Sequence, residues 1–172
     1  PCLVSNGHID GITVVGYDAY HVDYQALWFA LLDRKWRVPG YAEMDGNFAN
    51  MPSEKNVFKN AVPLKNNEKP KFDDMKEEMR LGHHYMTSGP ELILSVDGNP
   101  MGTTISSDEK KTFHATLIAK PSKEEAKLSR VQLVTLNNTV IYETRDFTGG
   151  TIEFDIELPT DLDYTYIVAR CF

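Results

Sequence analysis

The spacing of hydrophobic positions changes part-way along the chain. The front opens on Asp10-Gly-Ile-Thr-Val-Val-Gly16, a β-branched run between glycines, which predicts a buried strand. Tyr24, Leu27, Trp28, Leu31 and Leu32 then recur at the spacing of one helix face. Asp23 stands at the N-cap position of that helix, and Arg34 and Lys35 lie near its end, where cations complement the helix dipole. Residues 37–45 read as a short strand that ends at acids. Strand, helix and strand in that order predict a parallel pairing with a helical crossover. Residues 46–70 are rich in Asn, Pro and Lys and lack a period, so they read as a long connection, with a short strand at Val57-Phe58. Residues 72–81 predict a short helix with Phe72, Met75 and Met79 on one face and Gly82 as its stop signal.

From about residue 83 the period becomes two. Leu92, Leu94 and Val96 alternate with Ile93 and Ser95; Phe113, Ala115, Leu117 and Ala119 alternate with His114, Thr116 and Ile118. Ile152, Phe154, Ile156 and Leu158 alternate with Glu153, Asp155 and Glu157, the pattern of a strand buried on one face. Residues 131–136 and 139–143 flank the turn Asn137-Asn138, and residues 164–171 supply a last strand. Asp97-Gly98 and Gly149-Gly150 mark further turns. Short strands at this spacing predict an immunoglobulin-like β-sandwich. The fold class expected is α+β: a partial α/β segment (strand-helix-strand) over residues 1–82, which the resemblance given below implies is barrel-derived, followed by the β-sandwich over 83–172.

Composition narrows the function classes. The 172 residues are 41% hydrophobic and 25% charged, which suits a globular chain and not a wholly disordered one. The longest apolar cluster, residues 26–32, is far short of the roughly 20 needed to span a bilayer, so no membrane partner is expected. The net charge of -7 opposes attraction to nucleic acid, and the Lys-rich residues 110–127 are interleaved with Glu124 and Glu125. Two cysteines, Cys2 and Cys171, do not make a disulfide framework; their pairing is left open, and two buried thiols are the simpler reading. The chain opens on Pro1 with neither an initiator methionine nor a signal peptide, so a segment upstream is expected to be missing. The absent methionine and the β-sandwich together lean towards a secreted or periplasmic setting.

No self-sufficient catalytic motif is present: there is no HExxH, CxxC pair, P-loop, GxGxxG or GxSxG. His83 and His84 are adjacent, so on extended backbone they point to opposite faces and do not grip one metal together. His114 reads as a solvated histidine on the outer face of its strand. His8 and His21 flank the first strand, where ligands occur but structural roles are commoner. The sharper feature is Glu43-Met-Asp45 at the C-terminal end of a predicted parallel strand, because ligands and metals gather outside those ends. A carboxylate there is a hard donor for a divalent ion. The competing reading is that Asp45 caps a turn with Gly46.

These residues resemble a family. Asp10-Gly-Ile-Thr-Val, then the run from Tyr24 to Pro39, then Ala42-Glu-Met-Asp45, look like the closing part of metal-dependent hydrolases of the polymerase-and-histidinol-phosphatase (PHP) type, CehA/McbA-like branch. Asn50-Met-Pro52, Asn56-Val-Phe58 and the link from Arg80 to Pro90, with its Gly82, Thr87, Gly89 and Pro90, resemble the branch's later segments and its entry into a C-terminal β domain. The resemblance implies Asp45 as a metal ligand, with Glu43, His21, Asn47 and His8 as ligands or near neighbours of that metal. Asn47 stands where many PHP proteins carry a histidine. The family's N-terminal histidine-rich ligands have no counterpart in this chain, and one aspartate does not fix a metal and activate its water.

The function expected is therefore the C-terminal portion of a hydrolase acting on a phosphoester, amide or carbamate, inactive without the N-terminal half. The intact parent would carry a divalent metal (Zn, Mn or Fe), with none required in this chain alone. The partners expected are the missing N-terminal half, or another chain that supplies it, and a small-molecule substrate. The alternative is a non-catalytic β-sandwich that binds carbohydrate or protein through Tyr142, Tyr164 and Tyr166, whose rings read more simply as core.

Overall fold

The computed structural model describes residues 8–16, 24–43, 58–63, 69–106, 112–157 and 165–172. Cys2, His21, Asp23, Asp45, Asn47, the Asn50-Met-Pro52 run, the strand start at Val57, Leu158 and Tyr164 lie outside the described residues. The described backbone is mostly β, with two short helices, and its sheets are open. No helix among the described residues is long and apolar enough to cross a membrane. The chain divides into two compact units, Pro1–Gly89 and Pro90–Phe172.

In the first unit, β1 (Ile12–Val15) pairs in parallel with β2 (Gly40–Ala42), and helix α1 (Tyr24–Leu32) joins them in sequence. The register runs Ile12 to Gly40, Thr13 to Tyr41 and Val15 to Ala42, with an irregularity between Thr13 and Val15. Val14, Phe29, Leu32, Val38 and Ala42 form the buried core of this segment. The indole Nε1 of Trp28 donates to the carbonyl of Val38 (2.8 Å), which ties the helix to the approach of β2.

Helix α1 ends in a Schellman arrangement. Lys35 takes a left-handed φ of 64°, its N–H donates to the Leu32 carbonyl, and the Trp36 N–H donates to the Leu31 carbonyl. The face that α1 buries is not the one its spacing predicts, since Phe29 lies outside the predicted set. Phe29 and Leu32 are buried, whereas Leu27 is 48% exposed. The sequence Tyr-Gln-Ala-Leu-Trp-Phe-Ala-Leu-Leu is apolar almost all round, so periodicity does not single out one side.

The strand expected over residues 37–45 is confined to β2, and the one expected at Val57-Phe58 is β3 (Lys59–Ala61). Helix α2 (Phe72–Arg80) follows, with Asp73 and Asp74 in its first turn and Arg80 in its last, and Gly82 at φ 78° just beyond it. Phe72, expected on a core face, is 79% exposed at the first position of the helix, and Met75 and Met79 are only half-buried. Strand β4 (Tyr85–Thr87) pairs antiparallel with β3, so residues just after the change of period belong to the first unit.

In the second unit, β5 (Glu91–Val96), β6 (Asn99–Pro100), β7 (Thr112–Lys120) and β10 (Gly150–Glu157) form a four-stranded antiparallel sheet in the order β10-β7-β5-β6. β8 (Leu128–Thr135), β9 (Thr139–Phe147) and β11 (Val168–Cys171) form a three-stranded antiparallel sheet in the order β11-β8-β9. Period two holds on β7, where Phe113, Ala115, Leu117 and Ala119 are buried, and on β10, where Glu153, Asp155 and Glu157 are exposed. Leu117, Leu133, Val131 and Val134 are fully buried, so both sheets contribute to the core. The turn between β8 and β9 carries left-handed residues at Asn137 and Asn138, a conformation that asparagine tolerates better than most side chains. Cys171 is a half-buried thiol whose pKa burial raises.

Candidate functional site

Strand β2 ends at Ala42, and the next residue, Glu43, stands at the C-terminal mouth of the parallel pair. The Glu43 N–H donates to the Val15 carbonyl (2.8 Å), which continues the ladder by one step. Its carboxylate Oε2 accepts from the Thr13 hydroxyl (2.9 Å). Gly16 makes this placement possible, since a Cβ there would lie 2.8 Å from Glu43 Cγ and 2.9 Å from Oε1. The result is an exposed carboxylate, held by one hydroxyl, beside the ends of two parallel strands.

Of the other residues expected at this site, His21, Asp45 and Asn47 lie outside the described residues. His8 is exposed and precedes β1, at the end of the strand opposite to Glu43, so the two do not share the mouth. Among the described residues no three His, Cys, Asp or Glu side chains gather as a metal site. Among the described residues Glu43 is thus a lone carboxylate at this strand mouth, short of the three or four donors that hold a metal.

Among the described residues, the opposite edge of β2 is closed by side chains rather than by another strand. The Asn60 side-chain amide donates from Nδ2 to the Ala42 carbonyl (2.9 Å), and its Oδ1 accepts from the Ala42 N–H (2.7 Å). His84 Nε2 donates to the Gly40 carbonyl (2.8 Å), which fixes its tautomer and leaves Nδ1 as an acceptor. That Nδ1 is buried and has no hydrogen-bond partner. The His84 ring stacks on Tyr41 with centroids 4.9 Å apart, and the Tyr41 hydroxyl donates to the Met79 carbonyl (3.0 Å). Burial lowers the His84 pKa, the bond to Gly40 partly opposing it, so the ring is neutral. Gly40 has no room for a side chain: a Cβ would sit 2.7 Å from Val14 Cγ2.

The two adjacent histidines diverge as extended backbone requires. His83 Nδ1 lies 2.7 Å from Glu78 Oε2, while His84 turns into the core. Neither Asn60 nor His84 stood out as a site residue. The available signal was the adjacency of the two histidines, which forces one of them inward. Asn60 gave none, because its partner is backbone. His114 is exposed as expected, with Nδ1 3.0 Å from Asp155 on the neighbouring strand. Tyr142 is half-buried and stacks on Phe154 at 4.5 Å, so its ring is packed rather than offered to a ligand.

On the other face of β8, Gln132 is 3% exposed and bridges two charges. It donates from Nε2 to Glu143 Oε2 and accepts from Arg170 Nε (2.8 Å). The bond from Gln132 is the largest cause holding the Glu143 carboxyl below the usual range, with Arg145 adding to it.

No family model, no curated protein and no solved structure matches this chain.

Proposed function

We propose that the chain is the C-terminal portion of a PHP-type metal-dependent hydrolase, with its first unit a partial α/β segment and its second an immunoglobulin-like sandwich. The observation that carries this reading is the Glu43 carboxylate at the mouth of the parallel β1–β2 pair, where α/β enzymes gather their ligands. Asp45, two residues on, would be the metal ligand, with Glu43, His21 and Asn47 beside it. The metal of the intact parent (zinc, manganese or iron) would supply an activated water for attack on a phosphoester, amide or carbamate. His8 has no part in the site, since it stands at the far end of β1.

Two further observations favour this reading, one in each unit. Helix α1 is apolar on nearly every side, yet Leu27 is half exposed, as expected when a further layer covers it in the parent. In the second unit, the order β10-β7-β5 in one sheet and β9-β8-β11 in the other brings Tyr142 of β9 against Phe154 of β10, which suits two sheets packed face to face. The α+β description of the whole chain belongs to the same reading.

Metal analysis and a generic phosphodiesterase assay on the 172-residue chain test the reading. The expected outcome is substoichiometric metal and no turnover. Stoichiometric, tightly held zinc or manganese together with turnover would show an enzyme complete in itself and refute the fragment reading.

A further inference from the structure

The outer face of the three-stranded sheet carries more positive charge than its own carboxylates neutralise. Arg130 and Gln132 point to one side of β8, while Val131 and Leu133 point to the core. Strand register places Glu143 and Arg170 on either side of Gln132, and Arg145 opposite Arg130. Phe172, just past β11, exchanges backbone hydrogen bonds with Arg130. Two rows result: Glu143, Gln132, Arg170, and beside it Arg145, Arg130, Phe172.

The first row is satisfied internally. Besides its bond to Gln132, Arg170 donates from Nη1 to Asn138 Oδ1 (3.0 Å). Arg145 takes the remaining oxygen of Glu143 (2.6 Å). Arg130 pairs with no side-chain carboxylate among the described residues. Its guanidinium lies over the Phe172 ring, 4.1 Å from the centroid, and its Nε is buried without a hydrogen-bond partner. The Arg170 guanidinium approaches the same ring at 5.8 Å. Among the described residues three guanidiniums therefore share one side-chain carboxylate, that of Glu143, and two of them, Arg130 and Arg145, stand directly opposite on neighbouring strands. Like charges in such a cross-strand pair destabilise a sheet, and so does a buried donor left unpaired. The like-charge cost falls if an anion sits between the guanidiniums.

We propose that this face is a binding site for a tetrahedral phosphate-type anion, with Arg130 as its main ligand and Arg145 and Arg170 flanking it. The positive charge left on this face favours an anion, and guanidiniums suit phosphate oxygens because their N–H groups fan out in one plane. Phe172 holds the Arg130 guanidinium in place by stacking. The site belongs to the second unit alone and does not depend on metal chemistry at the mouth of β1 and β2.

The test is a titration of the isotope-labelled 172-residue chain with inorganic phosphate at constant ionic strength, followed by amide and arginine Nε resonances, with chloride as the matched control. The expected result is a saturable shift centred on Arg130, Gln132 and Arg170 that chloride does not reproduce. Arg130→Gln should weaken it about tenfold or more, the scale of one charge-assisted hydrogen bond. Arg145→Gln, at a largely exposed position, should weaken it several-fold with the fold intact, and it decides the matter if Arg130→Gln does not fold. Shifts that grow linearly without saturating, shifts that chloride reproduces, or affinity unchanged in the folded variants would overturn the proposal.

Discussion

The side chain of Asn60 occupies the place of a missing strand beside Ala42, accepting from its N–H and donating to its carbonyl. Ala42 is buried, so neither backbone group has water to fall back on. Asn60→Ala leaves both unpaired and should destabilise the first unit by roughly 2 kcal/mol or more. Both tryptophans, Trp28 and Trp36, lie in this unit, so their fluorescence in a urea titration reports it. A midpoint unchanged by Asn60→Ala would show that these hydrogen bonds are not a stabilising feature of β2.

His84 makes the same unit acid-sensitive. Burial holds its folded pKa below the ordinary imidazole value of about 6.5, which the unfolded chain retains. The unfolded state therefore takes up the proton first. His84's contribution to stability is complete above that ordinary value and is lost as pH falls from it towards the lower folded value. The expected outcome is a thermal midpoint, read by tryptophan fluorescence, that falls between about pH 7 and pH 5. The fall should be shallower in His84→Gln, which keeps a donor for the Gly40 carbonyl and has no titrating ring. Equal slopes in the two proteins would assign the acid sensitivity to another group.

Burial separates two hydrophobic residues that look alike in the sequence. Leu117 is fully buried on β7, and Leu117→Ala should cost about 2–5 kcal/mol in the second unit. Phe72 is 79% exposed at the start of α2, and Phe72→Ser should change stability by no more than about 0.5 kcal/mol. Chemical denaturation of the two variants checks both values. A large loss from Phe72→Ser would restore that ring to a packed face.

The second unit was the more legible part of the chain. Alternation on β7 and β10, with acids between the apolar residues of β10, fixes which face is buried because a strand has only two sides. The turn at Asn137 and Asn138 was equally readable from residue type. In the first unit the strand-helix-strand order could be read, but not the buried side of α1, since nearly every position of that helix is apolar. Nor does periodicity reveal a strand edge closed by Asn60 and His84, which depends on two distant side chains meeting backbone groups. Of the expected site, Glu43 stands at the strand mouth and His8 away from it, while Asp45, His21 and Asn47 lie outside the described residues. The arginine face escaped notice because Arg130, Arg145 and Arg170 are scattered in sequence and only strand register brings them together.

Addition of Mn²⁺ to the isotope-labelled chain, followed by paramagnetic broadening of its amide signals, probes the mouth of the parallel strands even when binding is weak. Broadening should centre on Gly16, Glu43 and Asp45 and be lost when Asp45→Asn is combined with Glu43→Gln. Broadening centred elsewhere, or unchanged in that double variant, would contradict a cation site at this strand mouth.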